Sequence, residues 1–279
     1  MGRDSGLVLA GLSPVRRRLA LALLALVAVV AVAALAVHRL TGPDDGAGPA
    51  AVEELTPGPV LLVPGYGGSV GSLQPLADRL TASGRDATVV PVPGDGTGDL
   101  AASAAVLGTA VDEALERTGA DSVDVVGYSA GGVIARLWAA DGGAEQARRV
   151  LTLGSPHHGT AIADLAARFL AAECPDACQQ LTTGSPLLAE LNAGDETPAG
   201  PSWVSVWTTQ DETVTPPASA ELDGALNLPV QSVCADAEVS HGQLPADALV
   251  QAIVLAELAA GPPVELGSAD CARLRRGPA

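Results

Sequence analysis

Between residues 122 and 141 the chain has to pass from strand to helix within a single tight turn. The pentapeptide Gly127-Tyr128-Ser129-Ala130-Gly131 follows directly on the β-prone run Ser122-Val123-Asp124-Val125-Val126 and opens into the helix-capable residues 132–141. Small residues on both sides of Ser129 let a strand and the helix after it pass closely, which larger side chains would prevent. A strand feeding a helix in this way is one βα unit, and it restricts the chain to folds in which helices return parallel strands to one sheet.

The same alternation recurs along the chain. Strands are predicted over 59–63, 87–92, 149–153, 203–208 and 230–234, and helices over 73–82, 100–118 and 245–258. Strands that are apolar throughout need cover on both faces, so the reading is an α/β fold with a mostly parallel sheet between two helical layers. Ligands of such sheets sit at the carboxyl ends of the strands, where the loops after Val63, Val126 and Leu153 fall. Residues 155–200 show no clear strand, only helices over 162–172 and 186–192 with a Cys174-Pro175-Asp176-Ala177-Cys178 loop between them. They read either as a lid or cap over that end or as an ordinary crossover lengthened by insertion.

Aromatic residues make up only 2% of a chain that is 48% apolar, so the core has to be built from Val, Leu, Ala and Ile. All 15 basic residues are Arg; five of them and one acid lie before Thr41, leaving 10 Arg against 31 acids in the rest. That excess of acid repels phosphate backbones and argues against a nucleic-acid partner.

Residues 19–37 contain no charge or strong polar group, and 19 residues at about 1.5 Å each come close to the roughly 30 Å hydrocarbon thickness of a bilayer. Arg16-Arg17-Arg18 before them assigns residues 1–18 to the cytoplasm. The apolar run is long for a signal-peptide core, which favours a single-pass anchor, whereas Ala34-Leu35-Ala36 offers a cleavage site and a secreted product. Residues 38–58, rich in Gly, Pro, Ala and acids, form a linker, and residues 59–279 the exported folded domain. All four cysteines lie in that exported part, so two disulfides are expected, with three possible connectivities; the favoured one joins Cys174 with Cys178 around Pro175 and Cys234 with Cys271, the latter tying the C-terminal tail to a late strand. No CxxC or His spacing suits a metal.

A serine is a weak nucleophile until a base takes its proton and a third group orients the base. In the chain order serine, acid, histidine, the base is His241, in the loop ahead of the last helix. The acid belongs after the strand over 203–208, where Asp211 stands, with Glu212 beside it and Asp236 further on as competitors. An oxyanion needs two N–H donors, and the amides of Ala130 and of Tyr66, in the glycine-rich loop after the first strand, are the candidates.

Five segments together, Val63-Pro64-Gly65-Tyr66-Gly67-Gly68, Val126-Gly127-Tyr128-Ser129-Ala130-Gly131-Gly132, Leu151-Thr152-Leu153-Gly154-Ser155-Pro156-His157-His158-Gly159-Thr160, Gln210-Asp211-Glu212-Thr213-Val214 and Val239-Ser240-His241, resemble the bacterial secreted lipases and esterases of the α/β-hydrolase fold, the class 2 type common in actinomycetes. The resemblance covers residues 60–258. It implies a cofactor-free, monomeric carboxylic ester hydrolase acting on a lipid or small ester, with Ser129, Asp211 and His241 as the triad and the Tyr66 and Ala130 amides as the oxyanion hole. Many relatives carry His-Gly where this chain has Pro64-Gly65, so no histidine side chain serves that loop. Zinc occurs in some of the superfamily, but no clustered Asp/His set accompanies His157 and His158. The rival readings are an acyltransferase or thioesterase acting on envelope lipids, and a non-catalytic binding domain on the same fold.

Overall fold

A strand with no polar position has to be buried on both faces, and β1 (Val60–Val63) illustrates how. Val60 and Leu62 enter one apolar layer while Leu61 and Val63 enter the other, because successive side chains of a strand point to opposite sides. The structure, a computed structural model, describes residues 56–276. The expected segments 1–18 and 19–37, and the linker up to residue 55, lie outside the described residues. Among the described residues no helix is long and apolar enough to cross a membrane.

The remaining strands are β2 (Ala87–Val89), β3 (Val123–Tyr128), β4 (Ala147–Leu153), β5 (Ser202–Trp207) and β6 (Leu226–Pro229), all pairing in parallel in the order β2-β1-β3-β4-β5-β6. The chain steps outward from β1 to β2 and then returns to the other side of β1. The loops after β1 and β3 therefore face each other across the point where the strand order reverses, which is where open α/β sheets bind ligands. Helix α1 (Val70–Ala82) covers one face of the sheet, and α2 (Leu100–Thr118) and α3 (Ala130–Ala140) cover the other. The bounds of α2 coincide with the sequence expectation because both ends carry strong signals. Asp99 accepts the Ala101 amide at its start, and Gly119 stops it in the left-handed conformation.

The chain between β4 and β5 holds α4 (Ala161–Phe169), α5 (Asp176–Gln180) and α6 (Pro186–Leu191), without a strand, as expected. After β6 come α7 (Val230–Val233), α8 (Ala248–Glu257), which packs on the α1 side, and α9 (Cys271–Arg276).

One expectation is corrected. Residues 230–234 are not a strand: the last strand is β6, and the apolar run forms α7. Val230 and Val233, three apart, are both fully buried, which is one face of a helical turn, and an apolar run this short is ambiguous in sequence. Cys234 consequently ends a helix rather than lying in a strand, although it pairs with Cys271 as expected; Cys174 pairs with Cys178. Strand β2 is shorter than expected because Pro91 has no amide to donate to the ladder.

At the opposite end of the sheet from the loop crevice, Asp124 of β3 is fully buried and accepts from Arg85 at 2.5 Å and from Arg148 at 2.6 and 2.9 Å. Arg85, Arg148 and Arg149 also donate to carbonyls of residues 257–261, at and beyond the end of α8. These carbonyls have no partners within the helix, and the guanidiniums supply them.

Candidate active site

Ser129 has φ 55° and ψ −126°, the one non-glycine residue with positive φ among the described residues. Such a conformation costs about 1–3 kcal/mol and persists only where its surroundings enforce it. Here the Ser129 amide donates to the Leu153 carbonyl of β4 at 2.8 Å, and its own carbonyl accepts the Gly132 amide at 3.0 Å. A Cβ at Gly127 would stand 2.5 Å from backbone atoms of Gly131 and Gly132. Glycine at 127 is what allows α3 to start immediately after the serine, with the positive end of its dipole beside the hydroxyl.

His241 lies in a 3-10 turn, His241–Gln243, whose entry is held by a capping box between Ser240 and Gln243. Its Nε2 is 3.0 Å from Ser129 Oγ and its Nδ1 is 2.7 Å from Asp211 Oδ2. The Asp211 side chain is buried, and its other oxygen accepts the amides of Thr213 at 2.9 Å and Val214 at 2.7 Å. The competing acids are elsewhere: Glu212 is exposed, and Asp236 forms a bidentate pair with Arg275 at the surface. Hydroxyl, imidazole and carboxylate thus form one unbroken chain, the connectivity that general-base activation of a serine requires.

The loop after β1 lies against the serine. A Cβ at Gly65 would be 2.9 Å from Ser129 Cβ and 3.4 Å from its Oγ, so glycine lets the backbone approach to that distance. The loop is fixed by Gly67 N donating to Gly96 O at 3.1 Å and Gly68 N to Gly65 O at 3.0 Å. Among the described residues no protein acceptor takes the Tyr66 amide.

The sequence reading assigned no role to Tyr128, whose hydroxyl donates to the His241 carbonyl at 3.2 Å while its ring lies 5.2 Å from the imidazole. Burial, reinforced by the Asp211 and Glu212 carboxylates, pushes its phenol up to about 12. His157 and His158 do not reach the serine. His157 is fully buried against Thr152 Oγ1 at 3.1 Å, and burial, followed by the charge of Arg136, holds it well below the usual histidine range. His158 bonds Glu196 at 3.0 Å. Among the described residues no group of three or more His, Cys, Asp or Glu is arranged to hold a metal ion.

A cleft of about 1160 Å³ lies away from this arrangement, at the far end of α3; Leu137, Asp141, Pro186 and Leu191 line it, and none of Tyr66, Ser129 or His241 does. Thr160, at the start of α4, accepts the Thr215 amide and donates to the Thr213 carbonyl, tying that helix to the loop that bears Asp211.

A family model described as the alpha/beta hydrolase fold matches residues 58–173. The fold is an α/β-hydrolase fold. Among solved structures, Aspergillus fumigatus lipase B is similar at 21% identity and a TM-score of 0.66, over 78% of this chain and 57% of that one. The mature form of the Bacillus licheniformis lipase BlEst2 is similar at 22% identity and a TM-score of 0.61, over 73% of this chain and 92% of that one. The chain thus spans little more than half the length of the first and nearly all of the second. Comparison with curated proteins finds no match.

Proposed function

We propose that the protein is a serine hydrolase that cleaves carboxylic esters through an acyl-enzyme. Ser129 attacks the carbonyl, His241 takes its proton and returns it to the leaving alcohol, and Asp211 holds His241 in the required tautomer and steadies the imidazolium. The amides of Tyr66 and Ala130 hold the oxyanion, and water then releases the acid. The observation that carries the reading is the continuous hydrogen-bonded path from Asp211 through His241 to Ser129, at 2.7 and 3.0 Å. Supporting it are the strained φ of Ser129 and the lipases among structures of similar fold.

The substrate belongs to the lipids or small esters. The two disulfides support an extracytoplasmic setting, reached by anchor or secretion through residues 19–37. Residues 155–200 act as the cover on the substrate side. In support, Ile162, Leu165, Phe169 and Leu170, on α4 and just past its end, are exposed although apolar, and Phe169 is the one Phe of the chain. The test is Ser129→Ala assayed on p-nitrophenyl esters. Turnover is expected to fall by at least about 10⁴-fold with the fold unchanged; wild-type turnover in the variant would remove the proposal.

A further inference from the structure

The loop that carries His241 is not part of the sheet, yet its backbone is buried: Ala237 is 5% and Val239 2% exposed. Buried peptide groups need partners, and here side chains supply them. Gln210, next to Asp211 in the chain, accepts the Val239 amide on its Oε1 at 3.1 Å and donates from its Nε2 to the Ala237 carbonyl at 3.3 Å. In a parallel ladder, a residue donates to the carbonyl one position before its partner and accepts from the amide one position after. The Gln210 carboxamide repeats that pattern around residue 238, standing in for a strand residue. Its orientation is fixed chemically, because a flipped amide would set donor against donor.

Two further groups complete the junction. Thr208 Oγ1 donates to the Val239 carbonyl at 2.7 Å, and Gln231 accepts the Thr209 amide at 2.9 Å while donating to Thr208 Oγ1 at 3.0 Å and to the Ala237 carbonyl at 3.2 Å. Asp211 is fixed within its own loop by the Thr213 and Val214 amides, and the turn bearing His241 begins two residues after Val239. The separation of acid and base therefore depends on what joins the two loops.

We infer that Gln210 is a positioning residue for the reaction: its carboxamide, backed by Thr208 and Gln231, clasps the acid-bearing loop to the histidine-bearing loop and sets the Asp211–His241 hydrogen bond. This inference rests on the triad proposed above. Gln210 is exposed, so its replacement leaves the apolar core intact. Small displacements of a catalytic group carry large rate costs, because the reaction requires near-attack geometry.

The experiment compares the full-length wild type with Gln210→Met, which keeps the length of the side chain but forms neither bond, and with Gln210→Met/Gln231→Met. Ester kinetics are read together with the low-field proton resonance of His241 Nδ1, which reports the Asp211 contact without turnover. The single variant is expected to lose about ten-fold in kcat with KM within about two-fold. Its low-field resonance shifts or broadens, and the double variant loses more. Wild-type kcat together with an unaltered resonance in the double variant would overturn the inference. So would a kcat deficit that vanishes when the assay is cooled below the variant's melting range. Failure of the triad itself reads differently, as a wild type whose turnover is unaffected by Ser129→Ala.

Discussion

The two halves of the candidate site are held by different means. The elbow around Ser129 is a backbone device: a positive φ, two hydrogen bonds to neighbouring backbone and a glycine where β3 and α3 nearly touch. The loop around His241 lies outside the sheet and is held by Gln210, Thr208, Gln231, Tyr128 and, at its start, the Cys234–Cys271 disulfide. The contrast teaches that a nucleophile can be held by backbone groups alone, whereas its base depends on side chains, one of them 113 positions away.

The sharpest test of the contrast separates rate from stability. Asp211→Asn keeps an oxygen for the Thr213 and Val214 amides but presents an amide N–H to His241 Nδ1, forcing the wrong tautomer. The expected result is a fall in kcat of about 10³–10⁴-fold with the urea midpoint little changed. On the elbow side, Gly127→Ala drives a Cβ against the backbone of Gly131 and Gly132 and is expected to cost about 3 kcal/mol or more in urea unfolding. A cost under about 1 kcal/mol would show that the elbow yields more easily than its packing suggests.

On the histidine side, Cys234→Ser with Cys271→Ser opens a crosslink spanning 37 residues. The expected loss, from the greater freedom of the unfolded chain, is about 3–4 kcal/mol by thermal or urea melts. If that double variant keeps wild-type kcat at low temperature, the disulfide stabilises the loop without aligning it.

Tyr128 belongs to both regions, and its effect is the smallest. Tyr128→Phe removes one hydrogen bond to the His241 carbonyl, worth about 1 kcal/mol. The pH dependence has a definite sign. Tyr128 is raised from 10.0 to about 12, so the folded state holds its proton more tightly than the unfolded chain. Its contribution is complete below pH 10 and disappears as pH rises towards 12. Melts of wild type and Tyr128→Phe at pH 9 and pH 11 should therefore show a difference that shrinks at the higher pH.

Much of this was legible in the sequence, for identifiable reasons. The elbow pattern and the caps of α2 are local, and a small even set of cysteines gives two disulfides, while the fold decides which of three connectivities forms. The strand expected over 230–234 went astray because Val230, Val233 and Cys234 suit either a buried strand or one buried helical turn. Gln210 passed without notice because a glutamine in a polar loop carries no signal until the loop facing it is known. Asp124 sits in an otherwise apolar strand, and only the fold brings Arg85 and Arg148 to it.

The amino-acid order by itself determined the alternation of strands and helices and the sharp turn at Ser129, because these depend on neighbours within a turn or two, and it set the chain order of serine, acid and histidine. The tertiary structure turned the preference for Asp211 over Glu212 and Asp236 into a contact with His241, and it alone decided that side chains join the two loops. Both are outcomes of packing, in which residues remote in the chain compete for the same buried donors and acceptors.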